Sequence, residues 1–318
     1  MKYIIKANKV VKRYNKHTAL NKVCVKIPKG SIYGLLGPNG AGKTTFIRLI
    51  NQISKPDEGE ILFFNKPLTE EHISKIGYLP EERGLYKKMK IGEQAMYLAQ
   101  LKGMRKSEAK EKLTEWFDKF DMLDWWDSKV EDLSKGMAQK IQFIVTVVHE
   151  PELLILDEPF SGFDPINTEL IKQEILELKK KGTTIIFSTH NMQSVEEICD
   201  YITLINQSEI LIDGPVDVVK KQFSKNAYEI HFTGNMISFT NALWTEFELL
   251  KKEEVSKNEF KVTVSPIGNN SINELLGAAL KDCKIKSVFE SSAKIHDIFI
   301  KAVAKANEPK TTKNIENE

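Results

Sequence analysis

The segment SIYGLLGPNGAGKT (residues 31–44) decides the class of fold, because it joins three local signals in one order. An apolar, β-rich run comes first, a glycine-rich turn follows, and the next run, TFIRLI, has a helical pattern. Residues 37–44 match G-x-x-x-x-G-K-[ST], which cradles phosphate when it lies between a strand and a helix. That context leaves little weight to the alternative, a chance glycine-rich turn.

The chemistry of this loop predicts a nucleotide site. Its glycines let backbone N–H groups converge on phosphate oxygens, and the helix N-terminus adds a partial positive charge. Lys43 is expected to pair with the β- and γ-phosphates and to serve catalysis, and the Thr44 hydroxyl to ligate Mg²⁺. The predicted nucleotide-binding residues of the loop are Gly37, Pro38, Asn39, Gly40, Ala41, Gly42, Lys43, Thr44 and Thr45.

A second chemical signal is the run LLILDEP (153–159), an apolar strand that ends in two acids. Ligands of parallel sheets bind at the carboxyl ends of the strands, where these acids lie. Asp157 is therefore predicted to hold Mg²⁺ through water, and Glu158 to polarise the attacking water as general base. The alternative is that both acids simply begin a loop, and the phosphate loop upstream favours the catalytic interpretation.

The order of elements predicts two domains. Strand and helix patterns alternate over the first part of the chain, which indicates an α/β fold with a parallel sheet. The later part has the order β-α-β-β-α-β with a closing helix, which fits a small α+β domain. We predict an ATP-binding domain at 1–222 with a helical subdomain at about 88–148, a C-terminal domain at 223–305 and a disordered tail at 306–318.

The composition excludes several classes of function. The 46 basic and 44 acidic residues give a formal net charge of +2, so we expect no nucleic-acid partner. No apolar run approaches the roughly 18 residues that span a bilayer, and no signal peptide is expected. The three cysteines show no metal-ligand spacing, which favours reduced thiols in a cytosolic protein.

Five motifs in sequence resemble one family, the ATP-binding subunits of ABC transporters. They are GPNGAGKT (37–44), LSKGM (133–137), LLILDEP (153–159), SGFDP (161–165) and STH (188–190). The resemblance covers about residues 1–220 and implies a P-loop NTPase core of the ABC ATPase type that binds ATP and Mg²⁺. It also implies a homodimer or heterodimer of ATPase domains that sandwiches two ATP molecules. The expected partner is a membrane-spanning subunit, with the chain peripheral on the cytoplasmic face of the cell membrane.

The resemblance also implies roles for single residues. Ser134 and Gly136 would contact ATP held by the second ATPase domain, and a helix N-terminus with a serine cap suits an anionic phosphate. Asp164 would belong to the loop that couples the two sites, and His190 would touch the γ-phosphate in catalysis. Tyr14 would stack on adenine. The alternatives are a structural role for His190 and a core position for Tyr14.

The chain departs from the commonest family pattern in two places. The signature is usually Leu-Ser-Gly-Gly-Gln, whereas here Lys135 replaces the first glycine and Met137 the glutamine. The loop YLPEERGLY (78–86) carries Glu81 where the family has a glutamine near Mg²⁺ and the attacking water. A glutamate can ligate Mg²⁺ but cannot donate as an amide can. Its extra negative charge requires compensation by Mg²⁺ or by Arg83.

Other functional classes fit the chain less well. A DNA-repair ATPase of this superfamily would insert a long coiled coil between Lys43 and Ser134, and that segment has no sustained heptads. A ribosome-associated type usually carries two ATPase halves, and a non-catalytic scaffold would lack Lys43 or Glu158. The loop at 78–86 and the C-terminal domain resemble exporter ATPases of the sodium-extruding (Nat) type. This resemblance leaves Na⁺ and drug- or peptide-like molecules open as cargo.

Overall fold

The computed structural model describes residues 2–15, 17–81, 84–224, 227–243, 246–268, 270–291 and 293–307. The described residues fall into two compact units. One comprises those up to Val216 together with those from Phe299 onward, and the other is Asp217–Ile298. The predicted boundary after residue 222 lies at the end of a continuous helix, Val216–Phe223, whereas the units separate at its start. The predicted domain limits remain predictions, and most of the predicted tail lies outside the described residues.

Among the described residues, the first unit has ten strands, numbered in chain order. They are β1 (Tyr3–Tyr14), β2 (His17–Pro28), β3 (Ile32–Leu36), β4 (Glu58–Phe63), β5 (Lys66–Pro67), β6 (Ile76–Leu79), β7 (Leu153–Asp157), β8 (Thr184–Ser188), β9 (Tyr201–Asn206) and β10 (Glu209–Pro215). Six form a sheet in the order β10-β9-β3-β8-β7-β6, which is parallel except for β10. Every residue of β3, β7 and β8 is buried, as expected for central parallel strands.

A second sheet of the first unit is antiparallel, in the order β2-β1-β4-β5. Its apolar face joins the same core as the parallel sheet, with Ile4, Val25 and Phe63 among the buried residues. β1 ends at Tyr14 and β2 begins at His17. This hairpin end reaches the phosphate loop, since a Cβ at Gly42 would lie 2.5 Å from the carbonyl oxygen of Ala19.

The described part of the first unit also contains helices that follow or connect these strands. They are α1 (Lys43–Ile50), α2 (Ile91–Leu101), α3 (Lys106–Lys119), α4 (Lys135–Val147), α5 (Pro165–Lys180) and α6 (Met192–Ile198). α2, α3 and α4 pack on one another and lie within the segment predicted as helical. Apolar side chains spaced four residues apart along α3, Ala109, Leu113 and Phe117, are fully buried. No described helix is both long and apolar enough to cross a membrane.

The second unit contains α7 (Val216–Phe223), β11 (Ala227–Gly234), α8 (Met236–Leu243), β12 (Phe247–Ser256), β13 (Glu259–Pro266), α9 (Ile272–Ala279) and β14 (Cys283–Ser291). α10 (Ile295–Asn307) follows, with its first residues grouped here. The strands form an antiparallel sheet in the order β12-β13-β11-β14, the arrangement of a ferredoxin-like domain. Phe232 and Phe239 stack in its core with ring centroids 4.3 Å apart. The predicted fold class, an α/β core with a small α+β domain, is confirmed.

Candidate functional site

The topology of the parallel sheet collects the site at one edge. Parallel strands end on the same side, and β7 lies between β6 and β8, while β8 pairs with β3. Ser188 at the end of β8 pairs with Asp157 on one side and with Leu35 on the other. The segments that follow β3, β6, β7 and β8 carry the phosphate loop, Glu81, Glu158 and His190, respectively. This is the edge at which α/β sheets bind ligands.

The phosphate loop requires its glycines for different reasons. Gly37 has φ 151°, and a Cβ there would lie 2.2 Å from the carbonyl oxygen of Ile205. Gly42 has φ 118° and precedes α1 without a side chain to cap the first-turn N–H groups. Gly40, at φ 76°, has no atom within 4 Å of a built Cβ. The loop therefore packs against the sheet at Gly37 and Gly42, and at Gly40 it leaves open space for an anion.

Lys43 lies across the loop that precedes it. Its Nζ donates hydrogen bonds to the carbonyl oxygens of Gly37, at 2.7 Å, and Pro38, at 3.1 Å. Burial lowers the pKa of Lys43, and the nearby Glu158 and Asp157 carboxylates oppose that shift. The ammonium group is held where a polyphosphate would replace its carbonyl partners.

The two acids after β7 differ in environment. Asp157 is 5% exposed, and its pKa is raised by burial and by the neighbouring Glu81 and Glu158, while the Ser188 hydroxyl acts in the opposite direction. Glu158 adopts a left-handed backbone at φ 50°, which is unusual for a residue other than glycine. Its carboxylate accepts hydrogen bonds from Thr189 Oγ1 at 3.1 Å and from the His190 backbone N–H at 2.9 Å. Asp157 and Glu158 thus belong to one cluster of charge.

A cavity of about 330 Å³ joins these groups. It is lined by Tyr14, His17, Ala19, Asn39, Gly40, Gly42, Lys43, Thr44, Thr45, Glu81, Asp157, Glu158 and His190. Eleven of the predicted site residues therefore meet at one cavity that also includes His17 and Ala19, which sequence reasoning missed. The signal for both was their position just after Tyr14, at the start of β2.

Tyr14 and His190 are exposed rather than structural core residues. Tyr14 is 42% exposed, with the Lys12 ammonium 5.5 Å from its ring centroid. The side chain of His190 is 86% exposed. Both residues line the cavity. The alternative of a core position for Tyr14 is therefore wrong. The predicted contacts of Tyr14 and His190 with a ligand stay predictions.

Three predicted site residues lie elsewhere. Ser134 caps α4, its Oγ accepting a hydrogen bond from the Met137 N–H at 3.3 Å. Asp164 caps α5 through the Asn167 N–H at 2.9 Å, a bond that lowers the pKa of Asp164. Neither residue, nor Gly136, is among the described residues that line the 330 Å³ cavity.

The segments SGFDP (161–165) and LSKGM (133–137) contact each other. Gly162 has φ 90°, and a Cβ there would lie 2.4 Å from Cε of Lys135. The stem of Lys135 therefore runs along the backbone of Gly162. Gly136 has no such conflict, because its built Cβ would be 3.9 Å from the nearest atom, Cδ1 of Phe163. The two segments form a single surface around the N-terminus of α4.

The segment from the end of β6 into the following loop contributes Tyr78 to the sheet and Glu81 to the cavity. Glu81 lines the cavity, while Arg83, predicted to offset its charge, lies outside the described residues. Tyr78, three residues earlier, is half-buried, and burial together with the charge of Asp157 raises its pKa to about 12. The Tyr78 hydroxyl is therefore neutral beside the carboxylates at pH 7.

The oxygen donors suit a magnesium ion that is shared with a phosphate. Among the described residues, no group of three or more His, Cys, Asp or Glu side chains has the geometry to hold a metal alone. Thr44 and Asp157 nevertheless line the same cavity, and Mg²⁺ is commonly bound by one or two such oxygens together with substrate phosphates. Burial, followed by the neighbouring Glu81 and Glu158 carboxylates, raises the pKa of Asp157, and a bound cation would favour its charged form.

Comparisons with protein families agree with this geometry. A family model described as "ABC transporter" matches residues 20–161, which include the phosphate loop and both acids. A second model, "ATP-binding protein DrrA1-3-like, C-terminal domain", matches residues 214–303. The two matches together extend over both units of the chain.

Individual relatives show the same similarity. The uncharacterized ABC transporter ATP-binding protein YhaQ of Bacillus subtilis is 40% identical over 295 residues, covering 92% of this chain and 96% of that protein. The bacitracin transport ATP-binding protein BcrA of Enterococcus faecalis is 35% identical, covering 71% and 73%. The ABC transporter ATP-binding protein NatA of Bacillus subtilis is 34% identical, covering 63% and 82%.

A solved structure, described as that of the ATP-binding subunit of an ABC transporter, superposes with a TM-score of 0.65 at 28% identity, covering 69% of this chain and 93% of that one. The predicted resemblance, including that to NatA, is therefore confirmed. The phosphate loop, the paired acids and these matches lead to one conclusion. This chain belongs to the ATP-binding subunits of ABC transporters, a family of ATP hydrolases that work with membrane transporter subunits.

Proposed function

We propose that this chain hydrolyses ATP with Mg²⁺ in a head-to-tail pair of ATPase domains, and so drives export of a drug- or peptide-like molecule. The observation that carries the proposal is the single cavity that joins the phosphate loop, both acids, Glu81 and His190. The bacitracin named for BcrA supports the cargo class. Na⁺, suggested by the resemblance to the Nat type, is the second candidate.

The roles of the cavity residues follow from their chemistry. Lys43 and the N–H groups at the start of α1 bind the phosphates, and Thr44 and Asp157 would hold Mg²⁺, which supplies charge stabilisation when bound. Glu158 accepts the proton of the attacking water, and His190 orients the Glu158 carboxylate. Tyr14 presents its exposed ring to the adenine.

The proposed pair of ATPase domains is supported by two predicted nucleotide contacts that lie outside the cavity. Ser134 and Gly136 lie at the N-terminus of α4, in a surface that does not line the cavity of their own chain. A helix N-terminus with a serine cap is suited to a phosphate, so these residues would serve the nucleotide of a second ATPase domain. The chain would then act on the cytoplasmic face of the membrane, docked on a membrane-spanning subunit.

Mixing two inactive variants tests the head-to-tail arrangement. Lys43→Ala removes the phosphate contact, and Gly136→Asp adds a negative charge at a position where a Cβ meets no conflict. In a head-to-tail pair, one composite site carries both lesions and the other carries neither. We therefore expect each variant alone to be inactive and the mixture to regain ATPase activity.

Gly136→Ala, which adds the Cβ without the charge, is the control and should fold and bind nucleotide like the wild type. A mixture as inactive as its parts would contradict the action of Gly136 on a second chain. Cross-linking to membranes then tests the transporter role. Recovery of a membrane-spanning partner is expected, and recovery of soluble partners alone would contradict it.

A further inference from the structure

The turn between β9 and β10 is strained, and it packs against the phosphate loop. Its two residues, Gln207 and Ser208, have φ values of 46° and 70°. Two consecutive left-handed residues form a type I′ hairpin turn, which normally uses asparagine, aspartate or glycine. A turn with Gln and Ser at these positions is expected to depend on contacts from its surroundings.

Several of these contacts lead directly to the nucleotide site. The Ser208 N–H donates to the carbonyl oxygen of Ala41 at 3.2 Å, within the phosphate loop. Ile205, at the end of β9, presents the carbonyl oxygen that a Cβ at Gly37 would meet at 2.2 Å. The position of this turn therefore determines where the backbone of the phosphate loop can lie.

The same turn also supports the hairpin that carries Tyr14. The carbonyl oxygen of Ser208 accepts from the Asn21 N–H at 2.8 Å, and the Ser208 hydroxyl donates to the carbonyl oxygen of Thr18 at 2.5 Å. Thr18 and Asn21 flank Ala19, which lines the cavity. One two-residue turn thus positions two walls of the nucleotide site.

A residue about a hundred positions later holds this turn. Asn307, the last residue of α10, accepts through Oδ1 from Gln207 Nε2 at 2.9 Å and from Asn206 Nδ2 at 3.4 Å. Asn206 is 5% exposed, whereas Gln207 and Asn307 lie at the surface. A single acceptor oxygen therefore joins two consecutive side chains of the strained hairpin.

We propose that Asn307 is a positioning residue for nucleotide binding: it holds the β9–β10 turn, and the turn holds the phosphate loop. This role rests on the proposed nucleotide site, and it adds a contact from α10 that stabilises the backbone of that site. Asn307 is not among the described residues that line the cavity. Its loss should weaken nucleotide binding by loosening the backbone of the loop, while leaving Lys43 and the acids in place.

Calorimetric titration of the full chain with ADP and Mg²⁺ tests the proposal. Asn307→Ala should raise the ADP Kd roughly two- to tenfold, the effect of losing one or two hydrogen bonds. Asn307→Asp keeps an acceptor oxygen and should retain the wild-type Kd. Lys305→Ala, an exposed change on the same helix, is the matched control and should also bind normally.

Gln207→Ala removes the other partner of the stronger bond. If both residues act through this contact, the loss of ADP binding free energy in the double variant with Asn307→Ala should be smaller than the sum of the losses in the two single variants. Thermal unfolding of each variant shows whether the chain is folded at the titration temperature. A wild-type Kd in Asn307→Ala, or an equal loss in Asn307→Asp, would overturn the positioning role.

Lys43→Ala separates this inference from the site on which it depends. Loss of ADP binding in Lys43→Ala with normal binding in Asn307→Ala would leave the site intact and refute the positioning role. Normal binding in Lys43→Ala would refute both.

Discussion

Oε1 of Glu158 lies 2.8 Å from Nδ1 of His190 and accepts the backbone N–H of the same residue at 2.9 Å. A carboxylate only accepts hydrogen bonds, so Nδ1 must carry the proton in this pair. Glu158 is itself held in a left-handed backbone conformation. The backbone conformation of Glu158 and the hydrogen bonds from His190 to its carboxylate therefore both restrict the position of the proposed general base.

Glu158→Gln should slow ATP hydrolysis about 10²- to 10⁴-fold, because an amide cannot accept the proton of the attacking water. ATP binding should persist, since Lys43 and the loop N–H groups are unchanged. We expect an ATP-bound dimer to accumulate, which size-exclusion chromatography with Mg²⁺ and ATP detects. Glu150→Gln, at an exposed position outside the cavity, is the control. Wild-type turnover in Glu158→Gln would exclude the residue as base.

Glu81→Gln removes one of three carboxylates from the cavity while keeping an oxygen ligand. Glu81 places a negative charge in the cavity that the phosphate loop lines, so its neutralisation should ease binding of the anionic complex of ATP and Mg²⁺. We expect the Kd for ATP with Mg²⁺ to fall roughly two- to tenfold. Measuring the ATPase rate with and without the membrane subunit then separates two roles. A change seen only with that subunit would place Glu81 in coupling rather than at the metal.

Gly37→Ala and Gly40→Ala form a matched pair within one loop. The added methyl at Gly37 meets the Ile205 carbonyl oxygen, and the φ of 151° is also unfavourable. We expect it to lower the free energy of unfolding by about 3 kcal/mol, combining backbone strain and overpacking. Gly40→Ala meets open space, so it should cost only about 1 kcal/mol, for the left-handed backbone. Urea unfolding measures both, and equal costs would contradict the close approach at Gly37.

His149 makes stability depend on pH. Burial, followed by the nearby charge of Lys102, lowers the pKa of His149 to about 4 from 6.5. Between these values the unfolded chain binds more protons at this residue than the folded chain does, so stability falls as pH falls from 6.5 towards 4. At pH 5 this single group should cost about 2 kcal/mol relative to pH 7.

Urea unfolding of His149→Gln at both pH values tests this expectation. The variant should lose about that much less stability on acidification than the wild type. His296→Gln, at an exposed position on α10, should leave the difference unchanged. An unchanged difference in His149→Gln would show that the imidazole is not buried in its neutral form.

The sequence alone determined the features that depend on local chemistry. The phosphate loop was predictable because a glycine-rich turn between a strand and a helix has only a few conformations. Asp157 and Glu158 were predictable because an apolar strand ends in two acids. The α/β core and the small α+β domain followed from the order of the elements, and both are confirmed.

Only the tertiary structure decided which distant residues meet. Strand order placed Glu81 and His190 at the edge that holds Lys43, and the pairing of β9 with β10 placed a strained turn behind the phosphate loop. Asn307 carries no motif, and its role depends on a contact across a hundred residues. Side-chain periodicity specifies which face of an element is buried, whereas the partner of that face depends on how the whole chain packs.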